Sequence, residues 1–104
     1  MFMILTDKEG YLQNIKDWNE TTATSIAQRE GVILTQAHWE LIIFVRDFYQ
    51  RHQIAPAIRV LVKSMKEHYG PEKGNSLYLQ SLFPKGAAKQ LSKIAGLPKP
   101  THCT

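Results

Sequence analysis

Cysteine is nearly absent from this sequence: its 104 residues contain one, Cys103, so no internal disulfide is available and the fold must rest on packing. Long apolar runs are missing as well. The longest is Leu41 to Val45, and the apolar start Phe2 to Leu5 gives way at once to Thr6-Asp7-Lys8-Glu9. Neither a membrane span nor a secretory signal fits in such runs, so a cytoplasmic location is expected. There is no Gly-rich phosphate loop, no paired metal-ligand spacing and no internal repeat, and no cofactor is expected. Acidic side chains are lacking from Lys85 to Thr104, where Lys85, Lys89, Lys93 and Lys99 make the C-terminal fifth positive.

What is present suits one small domain. The apolar fraction is 43%, and 13 Lys and Arg against 9 Asp and Glu give a net charge of +4, a moderate bias that alone argues only weakly for nucleic acid. The segment Met1 to Ile15 reads as two short strands around a turn at Gly10, an N-terminal β-hairpin. Asn19 is placed to cap a first helix with Ala23, Ile26 and Ala27 inward and Gly31 as its stop.

Thr35 opens a second helix whose stripe is His38, Leu41, Ile42, Val45, Phe48, Tyr49 and His52. This helix is expected to form the centre of the core, with Trp18, Trp39 and Phe44 mostly buried around it. Histidines on such a stripe are more often satisfied core groups than metal ligands. A third helix starts near Pro56, turns Ile58, Leu61, Val62 and Met65 inward and stops at Gly70-Pro71. A fourth, capped by Asn75, ends before Pro84.

Ala87 to Ala95 make a fifth helix. At 100° per residue, Lys85, Lys89 and Lys93 fall on one side and Ala88, Leu91 and Ala95 on the other, which places this helix on the domain surface. The expected fold is therefore mainly α: a small orthogonal helical domain of about five helices over residues 1–96, with the N-terminal hairpin and an extended C-terminal arm over 97–104. Pro98 and Pro100 stiffen that arm, and its removal is expected to leave folding nearly intact.

Cys103 carries the chemistry. A lone cysteine is usually a buried small hydrophobe, but this one follows two prolines among polar neighbours, where little apolar surface could draw it into a core. From Gly96 the arm spans roughly 23 Å when extended, enough to place a sulfur in a partner's active site. Lys99 and a protonated His102 would favour the thiolate, while a neighbouring carboxylate would oppose it. A persulfide on Cys103 could give up its outer sulfur to an attacking thiolate.

The run Ile94-Ala-Gly-Leu-Pro-Lys-Pro-Thr-His-Cys-Thr104, together with Ile54 to Lys63, Leu34 to Trp39 and Gly10 to Leu12, resembles the DsrC/TusE family. The resemblance implies the family's hairpin-plus-helices fold and a persulfide carried on Cys103. Ser92 stands where the two-cysteine branch has its second cysteine, which points to the single-cysteine TusE branch. His102 stands where the family commonly has glycine.

For that branch the resemblance implies a sulfur-relay role in tRNA 2-thiouridine formation. Sulfur would come from a TusBCD-like donor complex and pass to an MnmA-like thiouridylase bound to tRNA. The alternative is a DsrC-like carrier associated with dissimilatory sulfite reductase, a gamma-subunit-like role. Lys85, Lys89 and Lys93, with Arg59 and Lys63 one turn apart, could contact the partner or tRNA, or form a solvated face or ion pairs. A helix-turn-helix nucleic-acid module ranks lower: its recognition helix, Pro56 to Tyr69, exposes Arg59, Lys63, Lys66 and Glu67 without a base-reading set.

Overall fold

A computed structural model describes residues 5–100. Five helices follow one another: α1 Glu20–Glu30, α2 Gln36–His52, α3 Ile58–Tyr69, α4 Ser76–Leu82 and α5 Ala87–Ile94, preceded by a single 3-10 turn at Ile15–Asp17. Local chemistry sets most boundaries. The Asn19 side chain accepts from Thr22 N–H at 2.8 Å, and Asn75 accepts from Tyr78 N–H at 2.7 Å, each satisfying an orphan donor of the helix start. Gly31 closes α1 in the left-handed conformation at φ 77°. The helix expected from Pro56 begins two residues later, with Ala57 as its cap.

Of the β-hairpin expected over Met1 to Ile15, residues 1–4 lie outside the described residues and the remainder does not form one. Among the described residues there are no strands, only an isolated antiparallel bridge between Thr6 and Leu12. The reason lies in Asp7, whose Oδ1 accepts from both Glu9 N–H and Tyr11 N–H at 2.9 Å and so rolls the chain into a side-chain-held turn. Tyr11 and Leu12, adjacent in sequence, are both buried at 4% and 8% exposure, which breaks the in-out alternation a strand requires.

The helical expectations hold except in the placing of α5 and at the end of the α2 stripe, where His52 is exposed. It packs against α1, α2, α3 and α4, and Ala87, Ala88, Gln90, Leu91, Ser92 and Ile94 are buried. This arc leaves uncovered only the strip bearing Lys89 and Lys93, so the surface helix of the sequence reading is in fact central. Its small residues, Ala87, Ala88, Ser92 and Ala95, let neighbouring helices approach closely around it. Leu41, Ile42 and Val45 from α2 join the same core, with Ile26, Leu61, Met65, Leu79 and Phe83.

His38 behaves as a structural group. Its Nδ1 accepts from Thr35 N–H at 3.1 Å, which leaves the proton on Nε2 to be donated to the Leu82 carbonyl at 2.9 Å. This joins the start of α2 to the end of α4. His52 is exposed and lies 4.4 Å from the Phe48 ring.

The expected arm does not begin free at residue 97. Leu97 is 1% exposed and belongs to the core, and Pro100 is buried.

Candidate functional site at the root of the C-terminal segment

Residues 101–104, including His102 and Cys103, lie outside the described residues, and the segment that leads to them is anchored at the end of α5. Helix α5 ends in a paired set of backbone bonds: Gly96 N–H to Lys93 O at 3.2 Å and Leu97 N–H to Ser92 O at 2.9 Å. With Gly96 at φ 75° this is a Schellman ending, in which a left-handed glycine lets the next residue fold back on the helix. It drives the Leu97 side chain into the core beneath α5. The first residue of the expected arm is thus the cap of the last helix.

Two side chains distant in sequence take the carbonyls that this ending leaves over. Trp18 Nε1–H donates to Ile94 O at 3.0 Å, and Arg46 Nη1 donates to Ala95 O at 2.7 Å. The guanidinium of Arg46 also lies 3.9 Å from the centre of the Trp18 ring. A cation at a helix C-terminus meets the negative end of the macrodipole, so its charge adds to the hydrogen bond. Burial lowers the Arg46 pKa from its ordinary value, yet arginine remains charged near neutrality.

Gly96 completes the arrangement. A Cβ there would come within 2.4 Å of Trp18 Cδ1, so the indole occupies the space that a side chain would need. Beside this root run two shallow grooves that share Ile15 and Tyr49. One is lined further by Arg46, Gln50, Gln53 and Leu97, the other by Tyr11, Leu12, Pro98 and Lys99.

The candidate cations separate. Lys99 Nζ meets Glu9 Oε2 at 2.8 Å, a surface pair that ties the segment beyond Pro98 to the N-terminal loop. Lys93 reaches Glu30 Oε2 at 3.3 Å, with side chains only 16% and 19% exposed, and passes 5.3 Å from the Tyr11 ring. It is built into the structure, while Gln90 binds the other oxygen of Glu30 at 3.2 Å.

Lys85 precedes α5 and does not continue its row. Lys85 and Lys89 are exposed, as are Arg59 and Lys63 on the outer side of α3, and none of the four has a carboxylate partner among the described residues. None of them lines the grooves at the root. Trp18 and Arg46 are what sequence reasoning missed. A signal was available for the second, since Arg46 interrupts the apolar stripe of α2 between Ile42 and Tyr49.

Geometry of this kind defines a class: a small, mainly helical protein that uses its own core to fix the base of a C-terminal segment bearing its single thiol. Comparison narrows the class to a family. The family model described as "DsrC like protein" matches residues 2–104, and the chain belongs to this family. The chain is 61% identical over 98 residues to a "Sulfurtransferase TusE homolog" of Haemophilus influenzae, covering 94% of this chain and 90% of that one. It is 58% identical over 101 residues to the "Sulfurtransferase TusE" of Yersinia pseudotuberculosis, covering 97% and 94%. The solution structure of Allochromatium vinosum DsrC superimposes with a TM-score of 0.87 at 50% identity, covering 97% of this chain and 90% of that chain. No helix among the described residues is long and apolar enough to cross a membrane.

Proposed function

We propose that the protein is a sulfurtransferase that carries sulfane sulfur on Cys103 in the relay that thiolates the wobble uridine of tRNA. The observation that carries this reading is the likeness, at 58% to 61% identity over nearly the whole chain, to proteins named sulfurtransferase TusE, in a chain whose only thiol is Cys103. A protein with one cysteine cannot close an internal disulfide, so its sulfur chemistry runs through intermolecular exchange.

In the loading step the Cys103 thiolate attacks the outer sulfur of a donor persulfide. A new S–S bond forms on Cys103 as the donor's S–S bond breaks, the donor cysteine leaves as a thiolate, and the transferred sulfur keeps its proton as it moves to Cys103. No external oxidant or reductant is consumed. Delivery repeats the same exchange, with Cys103 as the leaving thiolate and an acceptor cysteine as the nucleophile. The chain supplies a sulfur at the end of a directed segment, while the partners supply the rest of each active site: a TusBCD-like complex as donor and an MnmA-like thiouridylase with bound tRNA as acceptor. Cytoplasmic location follows from this role.

By the family resemblance, the sulfite-reductase alternative uses a second cysteine on α5. Ser92 occupies that place, buried at 1% exposure, and a hydroxyl there forms no sulfur link. The exposed Arg59, Lys63, Lys85 and Lys89 are available to acidic protein surface or tRNA phosphates, and phosphate contacts would make binding weaken with salt.

The test is mass spectrometry after incubation with a persulfidated donor. Wild type gains one sulfur, removable by reductant, and Cys103→Ser gains none. Sulfur retained by that variant would refute the assignment.

A further inference from the structure

We infer that Trp18 and Arg46 are positioning residues for sulfur transfer, acting through the backbone of Ile94, Ala95 and Gly96 to set the direction in which the Cys103 segment leaves the domain. This rests on the reading of Cys103 as the sulfur carrier and adds to it the device that aims the carrier.

The case is geometric. A helix C-terminus needs no such apparatus merely to end, because the Schellman bonds at Gly96 and Leu97 already close α5. Here two further donors, from the turn before α1 and from the middle of α2, converge on successive carbonyls at 3.0 and 2.7 Å. The Arg46 guanidinium carbon lies 3.9 Å from the centre of the Trp18 ring, so each side chain restricts the other's orientation.

The indole side chain also fills the space beside Gly96, where an added Cβ would come within 2.4 to 3.0 Å of Trp18 Cδ1, Cγ and Cβ. Glycine is the residue with the widest choice of backbone angles, and its torsions decide where everything beyond it points. Pinning the carbonyls just before Gly96 and crowding its Cα removes that choice. Cys103 follows Lys99 by four residues, at most about 14 Å of chain, so an error in direction at Gly96 is carried forward to the sulfur.

Two measurements on the full chain test this. The lone cysteine takes a nitroxide label directly, and in the wild type, where Lys99 is tied to Glu9, the label should enhance relaxation of backbone amides in residues 7–13. Arg46→Met keeps an apolar stem against the indole and loses the donor, and Trp18→Phe keeps a ring and loses the N–H. In both, the enhancement should lose its confinement to that loop. Transfer from the donor complex proposed above should slow by about tenfold or more, given that a misplacement of about 1 Å can cost about 10²-fold. Loading by inorganic polysulfide, which needs only an accessible thiol, serves as the control.

A variant that keeps the wild-type relaxation pattern and the wild-type transfer rate overturns the inference. So does an equal fall in both loading rates, which would mean a general structural loss. If wild type takes up no sulfur from either donor, the reading of Cys103 as a carrier fails and the transfer role of the pair fails with it, while the relaxation data still report whether the pair directs the segment.

Discussion

Truncation between Gly96 and Pro100 separates a passive tail from one that belongs to the fold. The perturbation is a pair of chains, one ending at Pro100 and one at Gly96. The shorter loses the Leu97 side chain, buried to 1% exposure, and the Leu97 N–H bond to Ser92 O at 2.9 Å. Burial of a leucine is worth about 1.5–3 kcal/mol and a backbone hydrogen bond about 1 kcal/mol, so the shorter chain should be less stable by about 3 kcal/mol. The new carboxylate at Gly96 would lie near Arg46 and return part of that.

Leu97→Ala in the full chain avoids the added charge and should cost about 2–5 kcal/mol through the cavity it leaves. For a domain of this size each kcal/mol moves the thermal midpoint by about 4–8 °C, so calorimetry should show drops of roughly 10 °C or more. Urea titration gives the same comparison isothermally. If both perturbations stay within about 0.5 kcal/mol, the range of ordinary surface substitutions, then Leu97 is no part of the core and the root as described is wrong.

Gly96→Ala should destabilise by about 1–3 kcal/mol, since it combines a left-handed residue at φ 75° with a Cβ placed against Trp18; denaturant titration checks it. Lys93→Met should cost about 1–2 kcal/mol, between an exposed and a buried pair, because Glu30 would keep only its bond to Gln90; Glu30→Gln in the same background should recover part of the loss. The hydrogen bond from Lys73 to Glu40 raises the Lys73 pKa above 10.5, so the folded state binds that proton more tightly. Its stabilisation is fully present below the unfolded value and is lost as pH rises through the folded one, so the gap between wild type and Lys73→Met should be flat from about pH 6 to about pH 9 and close only in alkali.

Short-range chemistry was legible in the sequence: Asn19 and Asn75 as caps, Gly31 as a stop, and the α2 stripe around Leu41, Ile42 and Val45 all follow from spacing and side-chain type. The misreadings come from competition and distance. Around Asp7 the residues alternate well enough for a strand, but a carboxylate that captures two nearby N–H groups wins over a ladder. The lysines near α5 suggested an outer face, yet a helix of small residues can be covered on nearly all sides while Lys93 extends along the remaining strip to Glu30.

Leu97 looked like part of a polar, proline-stiffened tail because the Schellman ending that buries it depends on the torsions of Gly96. Trp18 and Arg46 meet carbonyls 76 and 49 residues away, contacts that only the assembled fold creates. Cys103, the residue on which the proposed chemistry rests, was legible as the only thiol, and the family comparison gave that thiol a context.

The Schellman ending at Gly96 also sets the length of the tether. With Leu97 spent on closing α5, Lys99 paired with Glu9 and Pro100 buried, only three residues lead from the described structure to Cys103, at most roughly 10 Å of chain. For the proposed relay, a reach this short would confine transfer to a partner seated close to the root of the segment.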